Sequence, residues 1–266
     1  MDFILEYYFD FGRMIDELGP VLDGFWYTLK LSILAGVLSL VWGLVLAVLR
    51  QLPGRPLAPV RWLVIAYIDV FRGIPLLLVL LLVSGFLSSA SAPVGGELIP
   101  RSIGVPEWLG QPSPFWYGVI ALTITYGAYM AEVYRAGIEA VPRGQMEAAR
   151  SLGMSHGQSM RSVVVPQAVR KVIPPLLNDY IALMKDTSLV SFLGLIEVVQ
   201  AGFDYQTLNI NGSALTLGAI LFLLVTIPLA RLIDWLIARD QTKTQRGGGG
   251  GEELQPGPAP TGMVGA

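Results

Sequence analysis

The sequence has no cysteine, and only one histidine in 266 residues. Without cysteine there are no disulfides, thiolate metal sites or cysteine nucleophiles. A single imidazole, His156, cannot build a histidine cluster, and its place between two short helices suits a surface or capping role. Charge is also scarce. Asp, Glu, Lys and Arg make up 14% of the chain, against roughly 25% in ordinary soluble domains. The net charge of −2 is not gathered on one unit, so it points to no nucleic-acid partner. A phosphate-binding Gly-x-x-x-x-Gly-Lys-Ser/Thr loop is missing, which excludes an ATPase built on that motif. No nucleophile constellation supports an enzyme. The N-terminal stretch carries Asp2, Glu6, Asp10 and Asp16 against Arg13. A cleavable signal peptide starts basic, so the first hydrophobic run is expected to stay in the mature protein.

What the chain has in abundance is apolar residues, 53% of the total, with a mean hydropathy of +0.58. They fall in long blocks. A helix needs about 20 apolar residues to cross a bilayer core of about 30 Å. The sequence predicts an all-α polytopic membrane protein with about five transmembrane helices, at 26–49, 62–86, 117–138, 176–199 and 215–237. Helices are required because backbone groups in lipid must find partners within their own segment. Alternate loops are basic: Arg50, Arg55 and Arg61; then Arg143, Arg150, Arg161, Arg170 and Lys171; then Arg239, Lys243 and Arg246. Basic loops face the cytoplasm, which puts the N-terminus outside and the C-terminus inside. Phe25-Trp26-Tyr27 and Phe115-Trp116-Tyr117 mark the outer interface. Residues 1–23 form an extracytoplasmic or interfacial segment, 24–239 the membrane domain, and 240–266 a Gly/Pro-rich tail expected to be disordered. The external loop at 88–114 is rich in Ser, Gly and Pro and is expected to be irregular.

The cytoplasmic loop at 140–171 carries the sharpest pattern. Helix formers from Gln145 to Leu152 predict a short helix that ends at a left-handed Gly153. Ser155-His-Gly-Gln158 can box the start of a second helix, and Pro166 is expected to break the pattern. Glu147-Ala148-Ala149, three residues, Gly153, nine residues, then Val163-x-Val165-Pro166 resembles the Glu-Ala-Ala loop of ATP-binding-cassette (ABC) importer permeases. The family pattern ends Ile-x-Leu-Pro; this chain substitutes Val at both apolar positions. Tyr129-Met-Ala-Glu132-x-Tyr-Arg135-Ala-Gly137-Ile, Phe71-Arg72-Gly73-Ile74-Pro75 and Lys185-Asp186-Thr187-Ser188-Leu189 look like the polar amino acid branch, the histidine/glutamine permease type. The resemblance covers Gly24 to Arg239.

That resemblance implies the type I importer transmembrane fold and a permease subunit for polar amino acids. It implies work as a pair with a second permease copy, identical or related. Two ATPase subunits would drive it from the cytoplasm, and an external amino-acid-binding protein would deliver substrate. ATP and magnesium would then be bound by the ATPase partner, and this chain would hold no cofactor or metal. The resemblance assigns ATPase coupling to Glu147, Ala148, Ala149, Leu152 and Gly153, in the cell membrane of a prokaryote.

Charged residues within the spans are the second clue, because a charge at mid-membrane costs at least about 2.5–3.5 kcal/mol. Arg72, Lys185 and Asp186, with Glu132, are candidates either for an internal ion pair or for the lining of a path for a zwitterion. Thr187 and Ser188 could serve either role. Glu197, Thr123, Thr125 and Tyr126 are secondary lining candidates. Pro75 and Pro174-Pro175 are expected to kink or start helices. An ATP-independent secondary transporter or channel is the alternative reading; five spans without an internal repeat disfavour many such folds.

Overall fold

The computed structural model describes residues 2–52, 54–88, 90–94, 97–101 and 109–248. Among the described residues the regular elements are helices apart from one short hairpin. Two N-terminal helices, α1 (Asp2–Tyr8) and α2 (Phe11–Asp16), lead into α3 (Leu18–Arg50). Then come α4 (Ala58–Gly73) and α5 (Leu76–Ser88), strands β1 (Ala90–Val94) and β2 (Glu97–Arg101), and α6 (Ser113–Glu139). The loop helices α7 (Arg143–Ser151) and α8 (His156–Ser159) precede α9 (Val165–Asp186), α10 (Val198–Asn209) and α11 (Ser213–Gly248).

Helices α3 and α6 form the centre of the bundle. At their crossing, a Cβ on Gly43 would lie 2.9 Å from the Gly127 carbonyl oxygen, so only glycine lets the backbones approach this closely. Leu31 and Ala35 of α3, Leu122 and Tyr126 of α6, Leu80 of α5 and Leu183 of α9 share one core. The outer face is apolar too. Ile33, Val37, Val41, Leu44 and Val48 are all exposed along α3, as are Leu223, Leu224 and Ile227 on α11. Contiguous exposed aliphatic stripes of this size fit a lipid solvent and not water.

Helices α3 and α11 are each long and apolar enough to span a bilayer, and the bent α4–α5 pair qualifies if taken as one span. The remaining long helices, α6 with 27 residues and α9 with 22, have the length but carry more polar side chains. In α6 several of those side chains are turned inward: Thr125, Tyr126 and Tyr117 are all buried.

Several sequence expectations change. The second expected span is not one helix. Pro75 forces Ile74 into an extended conformation (φ −91°, ψ 132°), and the chain turns by 110° between α4 and α5. The fourth expected span also breaks. Helix α9 stops at Asp186, a 3-10 segment follows at Thr187–Leu193, and Gly194 in the left-handed region (φ 86°) turns the chain away. Lys185 and Asp186 therefore lie at a helix end and not inside a continuous span. Pro166 does not break the helix: it comes just after the π turn at Met160–Val164, and the chain stays helical through it. Pro174 and Pro175 lie inside α9 rather than before it. The carbonyls they free belong to Arg170 and Lys171, both exposed at the loop end of the helix.

The external loop contains an antiparallel hairpin, with Ala90 opposite Arg101 and Val94 opposite Glu97, where irregular chain was expected. Residues 95–96 and 102–108 lie outside the described residues. Helix α11 extends to Gly248, so the start of the expected disordered tail is helical; 249–266 lie outside the described residues. The N-terminal segment is helical and fastened to the α10–α11 turn. Gly212 donates its N–H to the Tyr7 carbonyl (2.8 Å), and Asp10 donates its N–H to Ser213 Oγ (3.1 Å). Phe11 and Ile15 remain exposed on its outer side, as an interfacial helix requires.

Candidate functional site: a cavity at two helix breaks and a loop helix

The break between α4 and α5 and the end of α9 face one another across α6. Between them lies a cavity of about 440 Å³, lined by Arg72 to Leu76, Thr125, Tyr126, Tyr129, Asp179, Ala182 and Asp186. Non-helical backbone at membrane depth is tolerated where it borders a polar cavity. Here Tyr129 Oη donates to the carbonyl of Arg72 at 3.5 Å, a long bond to a group next to the break. The Arg72 guanidinium lies 5.7 Å from the Tyr129 ring centre, a cation–π distance. Across the cavity, Tyr126 Oη donates to Asp186 Oδ2 at 2.7 Å. Two polar atoms of the lining are buried without a hydrogen-bond partner, Thr125 Oγ1 and Asp179 Oδ2.

Of the residues singled out in the sequence, the structure brings Arg72 and Asp186 to this cavity, with Thr125 and Tyr126 beside them. It separates the others. Glu132 is joined to Arg50 of α3 and, at 2.8 Å, to Arg135 Nε; Arg135 also reaches Glu139 at 2.5 Å. That network ties the end of α3 to the end of α6, so Glu132 holds helices together and leaves the cavity to other groups. Lys185 is exposed and outside the lining. Thr187 is fully buried, and its Oγ1 donates to the Met184 carbonyl at 2.7 Å. Ser188 donates to the Lys185 carbonyl at 2.8 Å. Both hydroxyls close the end of α9. Glu197 is fully buried and caps α10, accepting from the Val199 and Gln200 N–H groups at 2.9 Å each. Thr123 lies outside the cavity.

Asp179 and Tyr129 were missed as site residues. The signal for Asp179 was available: it precedes Asp186 by seven residues, two helical turns, and therefore shares its face. Tyr129 follows Thr125 by four and so shares its face as well.

The loop helix α7 is the second feature. Gly153 adopts φ 84°, the left-handed residue after the helix, and Met154 N–H bonds back to the Ala149 carbonyl at 3.2 Å. Ser155 and Gln158 form the expected capping box. From there α8, a short π-helical turn (Met160–Val164) and α9 run on without interruption. The loop is seated on the end of α6. Lys171 Nζ donates to the Ala140 carbonyl at 2.9 Å, and Val141, Val164 and Ala168 form a small core under it. Glu147 and Ala148 are exposed, and Leu152 is 85% exposed. Ala149 is buried at 5%, so its small side chain seats α7 on its own chain.

A membrane bundle with a cavity at two helix breaks, and a rigid loop helix presenting a bare leucine, is the architecture of a transport permease. The chain belongs to the family described as the inner membrane component of binding-protein-dependent transport systems, whose model matches residues 39–239. It is similar to the glutamate/aspartate import permease protein GltK of Escherichia coli, 35% identical over 231 residues, which are 79% of this chain and 96% of that protein. It is also similar to the arginine transport system permease protein ArtQ of Bacillus subtilis, 32% identical over 221 residues, 82% of this chain and 91% of that one. A solved amino acid ABC transporter shares 32% identity and a TM-score of 0.70, covering 86% of this chain and 98% of its own. The MetNI methionine ABC transporter, at 22% identity and TM-score 0.62, shares the fold. The chain is thus an ABC permease of the type I fold with amino acid transport permeases as its relatives.

Proposed function

We propose that the chain is the permease subunit of an ATP-driven importer for polar amino acids, and that α7 is where a cytoplasmic ATPase subunit engages it. The observation that carries this reading is the geometry of α7. It is short, ends at the left-handed Gly153, packs Met146 on the small core of Val141, Val164 and Ala168, and presents Glu147, Ala148 and Leu152 outward. A helix so placed passes a push to α6, which it follows directly in the chain, and to α9, on whose first turns it packs. Those are the two helices that carry the carboxylates and tyrosines of the cavity.

In this reading two permease copies share the translocation path and an external binding protein delivers the amino acid. The basic loop at 140–171 faces the cytoplasm, as positive-inside sorting favours. ATP is hydrolysed on the partner, and the candidate path residues of this chain are Arg72, Thr125, Tyr126, Asp179 and Asp186. Two of its relatives are named for substrates of opposite charge, glutamate or aspartate in one and arginine in the other, so membership alone assigns neither. The test is ATP-driven uptake in vesicles holding the complex. Glu147→Lys and Gly153→Arg should each abolish uptake while the chain still inserts and purifies with its second copy. Uptake at the parent rate in either variant would remove α7 from the coupling path.

A further inference from the structure

Lys30 stands in an apolar stretch of α3, about one helical turn after Trp26, and is half-buried. A charge there is costly in a bilayer unless it meets a counter-charge or reaches the interface. Its Nζ lies 4.2 Å from the Tyr27 ring centre and 5.8 Å from that of Trp26, so the side chain reaches back toward the aromatic end of the helix. Among the described residues no carboxylate lies within ion-pair distance of it. Glu17 and Asp23, the acids that precede it in sequence, line a different cavity.

Beside Lys30 lies a groove of about 430 Å³. Ile33, Leu34 and Val37 of α3 line it together with Leu109, Phe115 and Trp116. Ile33, Val37 and Leu109 are exposed. Gln111 also lines it, and its Oε1 is buried without a hydrogen-bond partner. A buried acceptor left without a donor is costly. The cation and the orphan acceptor lie at the same end. Gly118 meets Leu31 and Gly127 meets Gly43, so α3 and α6 run parallel, and Gln111, just before α6, is level with the Lys30 end of the groove.

We propose that this groove binds an anionic phospholipid with a hydroxyl-bearing head group. The phosphate sits on Lys30, a head-group hydroxyl donates to Gln111 Oε1, and an acyl chain runs along Ile33, Leu34 and Val37. The lengths agree. Val37 is seven residues past Lys30, about 10 Å along the axis, which is roughly two-thirds of the ~15 Å hydrocarbon depth of one leaflet. Charge selects among lipids. A choline head group brings its own cation and no N–H or O–H donor, so Gln111 stays unmet. An ethanolamine head group brings donors but sets a second cation beside Lys30. A glycerol head group brings donors and leaves the phosphate charge to the lysine. The proposal needs a chain that spans a bilayer and nothing from the importer reading.

The test is native mass spectrometry on the intact complex, purified in mild detergent and titrated with phosphatidylglycerol, phosphatidylethanolamine or phosphatidylcholine of matched chains. Phosphatidylglycerol should bind about fivefold or more tightly than phosphatidylcholine, the factor one lysine at a head group supplies, with phosphatidylethanolamine between them. Lys30→Gln should cut that preference to about twofold or less. Gln111→Leu removes an unmet acceptor, so it should fold as well as the parent and also lower the preference. Arg13→Gln alters a cation already paired with Asp10 at 3.1 Å, and should leave the preference unchanged. Glycerol 1-phosphate, the head group without its chains, should not displace the lipid. Where Lys30→Gln does not purify, Gln111→Leu and the parent order decide. Equal binding of phosphatidylglycerol and either other lipid, a preference untouched by Lys30→Gln or by Gln111→Leu, an equal loss in Arg13→Gln, or displacement by glycerol 1-phosphate overturns the assignment. Dissociation of paired permease copies in Lys30→Gln gives the groove to a second copy and overturns it as well.

Discussion

Thr125 and Glu132 lie on the same helix, seven residues apart, and do opposite things. Thr125 Oγ1 is buried without a partner. Replacing it with the isosteric valine removes an unmet polar atom, which is neutral or stabilising by about 1 kcal/mol. Thr125→Val is therefore expected to hold or raise the melting temperature of the purified complex while slowing uptake. A lower melting temperature would mean that the hydroxyl has a structural partner. Glu132 bonds Arg50 and Arg135, with side chains between 16% and 33% exposed. Removing its charge strands the partly buried Arg50 and leaves Arg135 with Glu139 alone, so Glu132→Gln should cost about 2 kcal/mol, below the figure for a fully buried pair because water screens this one. A thermal melt unchanged by Glu132→Gln would show that the network contributes nothing. Charge alone in the sequence did not distinguish these cases. Glu132 and Asp186 both read as in-span carboxylates, and only packing shows that one meets arginines at a helix end and the other a cavity.

At the scale of elements, the breaks decide where the cavity lies. Pro75 removes an N–H and pushes Ile74 out of the helical region, and the resulting 110° turn brings Arg72 to face α6 and α9. Pro75→Ala permits the helix to continue, so uptake is expected to fall while assembly with the second copy and the ATPase persists. Full uptake in that variant would show that the bend is not needed. Much of this layer was legible in the sequence. The apolar blocks located α3 and α11, and the small-residue helix, Gly153 and the Ser155–Gln158 box located α7 and α8 within a residue or two. What was not legible has physical reasons. Apolar content cannot separate one span from two helices joined at a proline, so α4–α5 read as continuous. The end of α9 depends on Thr187 and Ser188 turning back to carbonyls on their own helix, a choice their presence does not reveal. Pro166 read as a breaker and Pro174-Pro175 as kinks or starts, yet all three lie in continuous helix, Pro166 after a π turn and the other two opposite the exposed residues Arg170 and Lys171.

The whole molecule is a bundle that meets lipid along α3 and α11, borders a cavity with charged and hydroxyl groups at the ends of broken helices, and exposes a helical loop. Helix α7 lies between α6 and α9, which carry Tyr126, Tyr129, Asp179 and Asp186, so in the proposed reading a push at Glu147–Gly153 acts on both. A coupling role for α7 requires that this loop be the contact with an ATPase. The chain contains no cysteine, so Leu152→Cys creates a single labelling site on a side chain that is 85% exposed. The purified variant, labelled there with a photoactivated benzophenone and then reconstituted with its ATPase partner, should give one cross-linked permease–ATPase product on illumination. The same label at Leu208→Cys, 83% exposed on α10, should give none. No ATPase product from position 152, or equal products from both positions, would contradict the assignment of α7 as the coupling helix.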